Sequence, residues 1–136
     1  MLFLFAVFII TTISFSDTVN YNLDLAHQVE IENALNNYGV SDVWGYTDEA
    51  GFEYAIIGYE LGTHIYKITD SDVILISDII GPSTGDYYYH RDYKTLGDYL
   101  YIVNEMYGGD IGMQVVDLSP LPENSPIQLN TYNEMS

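Results

Sequence analysis

The side chains of this sequence that could do chemistry are mostly carboxylates. The chain has 20 Asp and Glu residues against three Lys and Arg, for a formal net charge of −17. Cysteine is absent, which excludes disulfides, thiolate metal sites and cysteine nucleophiles. The histidines, His27, His64 and His90, show no metal-ligand spacing, so we predict no metal site. The available chemistry is that of carboxylates, which bind cations, accept hydrogen bonds or act in acid–base pairs.

Four of these carboxylates recur at corresponding positions in two halves of the chain. Asp42 and Asp92 each begin one half, 50 positions apart, and Glu60 and Glu105 end equivalent segments 45 positions apart. If Asp42 and Asp92 face a common channel, a ring of such carboxylates could hold a cation such as Ca²⁺. We favour the alternative that each bonds neighbouring backbone amides, as short polar side chains commonly do. The four are therefore candidate binding residues, and no cofactor is predicted.

Arg91 and Tyr88 complete the set of candidate binding residues. Arg91 suits a partly buried ion pair with Asp92, because a guanidinium is well adapted to such pairing. Tyr88, in the run of three tyrosines at 87–89, could stack on carbohydrate or peptide, and the alternative is packing between repeat units.

No catalytic residues are predicted. A glycosidase needs two carboxylates about 5 to 10 Å apart, and among 20 acidic residues some pair meets that distance by chance. No serine occupies a Gly-x-Ser-x-Gly elbow. The negative charge also repels phosphate backbones and anionic lipid, so we expect no nucleic-acid partner.

The N-terminus reads as a secretory signal. Residues 1–10 form an apolar run too short to span a bilayer comfortably, and small residues follow at Ser14 and Ser16. We predict a signal peptide over 1–16; the alternative is a buried N-terminal strand. The polar stretch 17–40 is either a leader segment or a strand that closes a ring.

From residue 41 the chain repeats itself. Tyr54 matches Tyr99 at an offset of 45, and Asp70 is matched with Asp117 at 47. Each copy holds four short apolar segments separated by turn residues, without a helical period. The eight predicted strands cover residues 42–47, 53–60, 63–70, 73–80, 91–95, 99–105, 112–117 and 127–132.

A four-stranded unit of about 40–50 residues that repeats is typical of a β-propeller. We predict an all-β fold of four-stranded antiparallel propeller blades, with two blades in an incomplete ring. Blade 1 spans 41–80, an inter-blade loop 81–90, and blade 2 with a truncated end 91–136. The alternative is a β-sandwich, which does not explain the repetition.

Several motifs resemble those of one family. The segments 41–46 (SDVWGY), 53–58 (EYAIIG), 62–63 (GT), 91–94 (RDYK) and 112–118 (GMQVVDL) are similar to those of the choice-of-anchor B proteins, bacterial exported proteins with LVIVD-type repeats. The resemblance covers residues 35–132. It implies a signal peptide, a β-propeller body and, in many members, a C-terminal anchor. His90 departs from the pattern, since the family has a tryptophan there.

Propellers close with about four to eight blades, so two repeats indicate an N-terminal fragment whose missing blades are its natural partner. We expect export from a bacterial cell and secretion or display at the cell surface. The expected function is a non-enzymatic scaffold that binds protein or carbohydrate. The alternative is part of an extracellular propeller hydrolase or lyase that acts on a polymer.

Overall fold

The computed structural model describes residues 24–31, 40–81, 90–104, 112–123 and 125–132. The predicted signal peptide, Tyr88 and Glu105 lie outside these residues. So do most of the predicted leader segment and most of the predicted inter-blade loop.

The described residues form strands and turns, without a helix, so the all-β prediction is confirmed. All eight predicted strands are present, with ends that differ from the prediction by at most two residues. They are β1 (Val40–Thr47), β2 (Glu53–Tyr59), β3 (Gly62–Ile68), β4 (Val73–Ile80), β5 (Arg91–Leu96), β6 (Tyr99–Asn104), β7 (Met113–Asp117) and β8 (Ile127–Tyr132).

The strands form two antiparallel sheets with the same topology. Sheet 1 has the order β1-β2-β3-β4 and sheet 2 the order β5-β6-β7-β8, so each strand pairs with its neighbour in sequence. Short turns join the strands of sheet 1; in the first, the amide of Gly51 donates to the carbonyl of Asp48 at 3.0 Å. The first strands, β1 and β5, contact each other across the two sheets.

The pairing register corrects one alignment between the two halves. Tyr54 pairs with Lys67, and Tyr99, its counterpart 45 positions later, pairs with Asp117. Lys67 and Asp117 therefore correspond, at an offset of 50, and the predicted match of Asp70 with Asp117 is wrong by three residues. The identical residue type misled the alignment: Asp70 lies beyond the end of β3, whereas Asp117 is the last residue of β7.

The core lies between the two sheets. Side chains alternate between the two faces of a strand, so every second residue of β2 and β6 points into this layer. A fully buried Ile or Leu side chain stabilises a fold by about 1.5–3 kcal/mol, so this layer holds the sheets together. The buried cluster comprises Tyr54, Ile56, Ile65, Ile79, Tyr93, Leu100, Ile102, Val116, Leu118 and Leu121.

Candidate functional site

A cavity of about 420 Å³ opens where β1 and β5 begin. This volume falls within the range of sites that hold small ligands, about 300–1,000 Å³. Six of its seven lining residues have polar side chains, which combine acidic, amide, hydroxyl, imidazole and guanidinium groups. The lining residues are Ser41, Asp42, His90, Arg91, Asp92, Val103 and Asn104.

The internal repetition places Asp42 and Asp92 in this cavity together. Val43 pairs with Ile57, and Tyr93 pairs with a residue 45 positions after Ile57, so β1 and β5 correspond at an offset of 50. Both carboxylates thus stand at the same point of equivalent strands. Asp42 Oδ1 accepts a hydrogen bond from the amide of Val43 at 2.8 Å, while Asp92 is exposed.

Arg91 lines the cavity but is anchored in the interface between the sheets. Its side chain is 3% exposed. Its guanidinium donates to the main-chain carbonyls of Tyr59 and, at 3.3 Å, Glu60, both at the end of β2. Burial lowers the pKa of Arg91 from its usual value, although the nearby hydroxyls of Tyr93 and Tyr59 oppose this effect. An arginine stays charged in proteins, so this cation is held by carbonyl dipoles.

Glu60 lies away from the cavity lining. It follows β2, and its main-chain carbonyl accepts a hydrogen bond from Arg91. Its Oε2 is buried and has no hydrogen-bond partner among the residues that the structure describes. The structure therefore brings together Asp42, Arg91 and Asp92 of the predicted binding residues, and places Glu60 outside that group.

The sequence prediction missed four lining residues: Ser41, His90, Val103 and Asn104. Ser41 and His90 are chain neighbours of predicted residues, which was the available signal. Asn104 reaches the site because it pairs with Arg91 across β5 and β6, and its amide donates to the carbonyl of Gly112 at 3.2 Å. That position depends on strand register, which single residue types do not reveal.

A second, smaller cavity of about 120 Å³ carries acidic groups whose bonds are structural. Asp48 accepts from the amide of Phe52 at 2.9 Å and from the hydroxyl of Tyr54 at 2.8 Å. Asp98 accepts from the hydroxyl of Tyr46 at 2.9 Å, and burial, followed by this bond, raises the pKa of Tyr46 to about 12. Within the described ranges, no group of three or more His, Asp or Glu side chains could hold a metal.

A cluster of polar side chains around His64, the His64 cluster, lies on the face of sheet 1 that points away from sheet 2. His64 Nδ1 lies 3.0 Å from the hydroxyl of Tyr66, and its ring stacks at 4.2 Å between centroids on Tyr59. Asp78 accepts from the Tyr59 hydroxyl at 2.8 Å and lies 3.6 Å from His64 Nε2. Burial lowers the pKa of His64, and the charge of Asp78 opposes the shift. The imidazole is therefore held mainly neutral.

Comparisons of this chain with protein-family models, curated proteins and solved structures find no match. The resemblance to choice-of-anchor B proteins accordingly remains a prediction from the motifs. In the part of the chain that the structure describes, no helix is long and apolar enough to cross a membrane.

Proposed function

We propose that this protein is an exported, non-enzymatic binding module whose cavity takes a neutral or amino-bearing carbohydrate. The observation that carries the proposal is the sharing of one cavity by Asp42 and Asp92, together with Asn104 and His90. Each of these side chains has oxygen or nitrogen atoms suited to hydroxyl groups.

The chemistry of the lining favours a ligand rich in hydroxyl groups. Carboxylates accept charge-assisted hydrogen bonds from hydroxyl donors, and an amide such as that of Asn104 both donates and accepts. Val103 adds an apolar surface for the C–H groups of a sugar ring. With Asp42 and Asp92 on the walls and a chain charge of −17, anionic ligands are repelled.

The proposal places the two sheets as neighbouring blades of a β-propeller. Their shared strand order and the contact between β1 and β5 support this arrangement, because propeller blades are four-stranded sheets around a central axis. The face of sheet 2 that points away from sheet 1 exposes apolar side chains outside the cavity, including Leu96 and Tyr99. Further blades of the same protein would cover that face, and the assembled scaffold would present the cavity at the cell surface.

The test is a screen of neutral and amino oligosaccharides by isothermal titration, with Asp42→Asn and Asp92→Asn as variants. Each variant should raise the Kd about tenfold or more, because hydrogen bonds to charged groups contribute about 1.5–3 kcal/mol.

Asp72→Asn is the matched control. Asp72 is exposed and accepts from the amide of Val73 at 2.8 Å, the same local bond that Asp42 makes with Val43. It lies outside the cavity lining, so its substitution should leave the Kd unchanged. The proposal fails if the wild-type protein binds no such oligosaccharide, or if all three variants weaken binding equally.

A further inference from the structure

We infer that Arg91 and Gly81 act as positioning residues that fix Asp92 relative to Asp42 and so set the width of the cavity. The inference rests on the proposed function for the identity of the ligand. Its structural part concerns the interface between the sheets and can be tested without any ligand.

Two consecutive residues of β5 have different surroundings. Arg91 is buried toward sheet 1, whereas Asp92 is exposed, since neighbouring residues of a strand point to opposite faces. The guanidinium binds the carbonyls of Tyr59 and Glu60. The beginning of β5 is thereby attached to the end of β2, and Asp92 follows directly from this attachment point.

The guanidinium of Arg91 packs closely against Gly81, which follows β4. A Cβ atom at this position would lie 2.7 Å from Arg91 Nη2 and 3.4 Å from Nε. The main chain of Gly81 is itself held, because its amide donates to the carbonyl of Leu61 at 2.9 Å. The guanidinium is therefore packed against a stretch of main chain that is itself held by a hydrogen bond.

Displacement of the Arg91 guanidinium from its two carbonyl acceptors costs free energy. A charged group buried at this depth is expensive unless its hydrogen bonds are kept. If Arg91 is pushed away from the two carbonyls, we infer that β5 shifts with it to restore them or to reach water, because a side chain in a residue only 3% exposed has little room to rotate. Either movement changes the separation between the carboxylates of Asp92 and Asp42.

The chain contains its own reporter of this geometry. Trp44 is the single tryptophan of the sequence and lies in β1. Its indole Nε1 donates to Thr95 Oγ1 of β5 at 3.1 Å, and Lys94 Nζ lies 3.8 Å from its ring centroid. A shift of β5 against β1 alters these contacts and the access of a quencher to the indole ring.

The experiment compares Gly81→Ala and Arg91→Lys with the wild type. Gly81→Ala places a methyl group against Nη2, and Arg91→Lys keeps the charge but loses the planar group that reaches two carbonyls. Both should increase acrylamide quenching of Trp44 and raise the oligosaccharide Kd about tenfold. Gly45→Ala is the control, because a Cβ there meets nothing within 4 Å.

A double variant separates positioning from a general loss of structure. If Gly81 acts through Asp92, then Gly81→Ala should have little further effect on the Kd in a protein that already carries Asp92→Asn. A full further loss of affinity in that double variant would overturn the inference.

The quenching measurement tests the positioning role, and the binding measurement tests the proposed ligand. Unchanged Trp44 quenching in both Gly81→Ala and Arg91→Lys would overturn the positioning role, whatever the affinities. If the variants increase quenching but the wild type binds no oligosaccharide, the effect on the interface stands and the proposed ligand is wrong.

Discussion

The hydroxyl groups of Tyr93 and Thr63 lie 2.9 Å apart inside the core and join the two sheets by a hydrogen bond. Tyr93 is 1% exposed and Thr63 is 0% exposed, so water does not compete for this bond. Burial raises the pKa of Tyr93 to about 12, although its bond with Thr63 and the charge of Arg91 oppose this change. Tyr93 therefore keeps its proton at neutral pH, and the docking of the two sheets includes a buried hydrogen bond between side chains.

Tyr93→Phe should lower the free energy of unfolding by about 1–2 kcal/mol, because it leaves the buried hydroxyl of Thr63 without this partner. Urea denaturation followed by Trp44 fluorescence measures the change. Tyr99→Phe is the control, since Tyr99 is exposed on the opposite face of sheet 2. In a double-mutant cycle, Thr63→Val should restore part of the loss, and strict additivity of the two substitutions would contradict a direct bond.

We predict that the free energy of unfolding falls on mild acidification, because of His64. The pKa of His64 is lowered in the folded protein, so below about pH 6.5 the unfolded chain binds a proton that the folded chain does not. The free energy of unfolding should therefore be highest above about pH 6.5 and decrease as the pH falls below it.

His64→Gln tests this assignment. The pairing of β6 with β7 makes Gln114 the counterpart of His64 in sheet 2, so glutamine is a residue already accepted at this point of the unit. Thermal unfolding between about pH 5 and 8 should show a weaker pH dependence in the variant than in the wild type. Parallel profiles of the two proteins would show that His64 is not the responsible group. The carboxylate of Asp78 and the hydroxyls of Tyr59 and Tyr66 remain in both proteins.

Asp48 should be important for stability although it lies outside the candidate site. Asp48→Ala removes the acceptor of both the Phe52 amide and the buried Tyr54 hydroxyl, and should cost about 2–3 kcal/mol in chemical denaturation. Asp48→Asn should cost less, because its carbonyl oxygen still accepts one of the two bonds. Equal losses for the two variants would contradict this account. Glu49→Ala, a neighbouring exposed carboxylate, is the control.

The exposed apolar face of sheet 2 should make the isolated chain self-associate. Leu96 is 73% exposed, and apolar patches of this kind are usual at protein interfaces. Leu96→Lys should lower the sedimentation coefficient measured at high protein concentration. Leu25→Lys is the control, because Leu25 is 76% exposed but belongs to no sheet. A wild-type chain that stays monomeric and unfolds in one sharp transition would overturn the prediction.

Much of the strand content could be predicted from the sequence, because short apolar runs end at turn residues such as Leu61-Gly62 and Gly97-Asp98. The candidate site could be predicted from the sequence only in part. Asp42 and Asp92 were visible through their repetition, whereas Asn104 enters through the register of β5 on β6. The described bonds of Arg91 end on main-chain carbonyls, which every residue carries, so the side chains of Tyr59 and Glu60 do not indicate that Arg91 binds there.

The polar contacts that Arg91 and Gln114 make across the sheets share a property with an evolutionary consequence. Arg91 binds the carbonyls of Tyr59 and Glu60, and Gln114 Nε2 donates to the carbonyl of Ile80 at 3.1 Å. In each contact the acceptor belongs to the backbone of sheet 1 and survives any change of its side chains short of a rearranged main chain. A gene segment encoding such a unit can therefore be duplicated or exchanged, and its sequence can diverge, while its neighbour still finds the same acceptors.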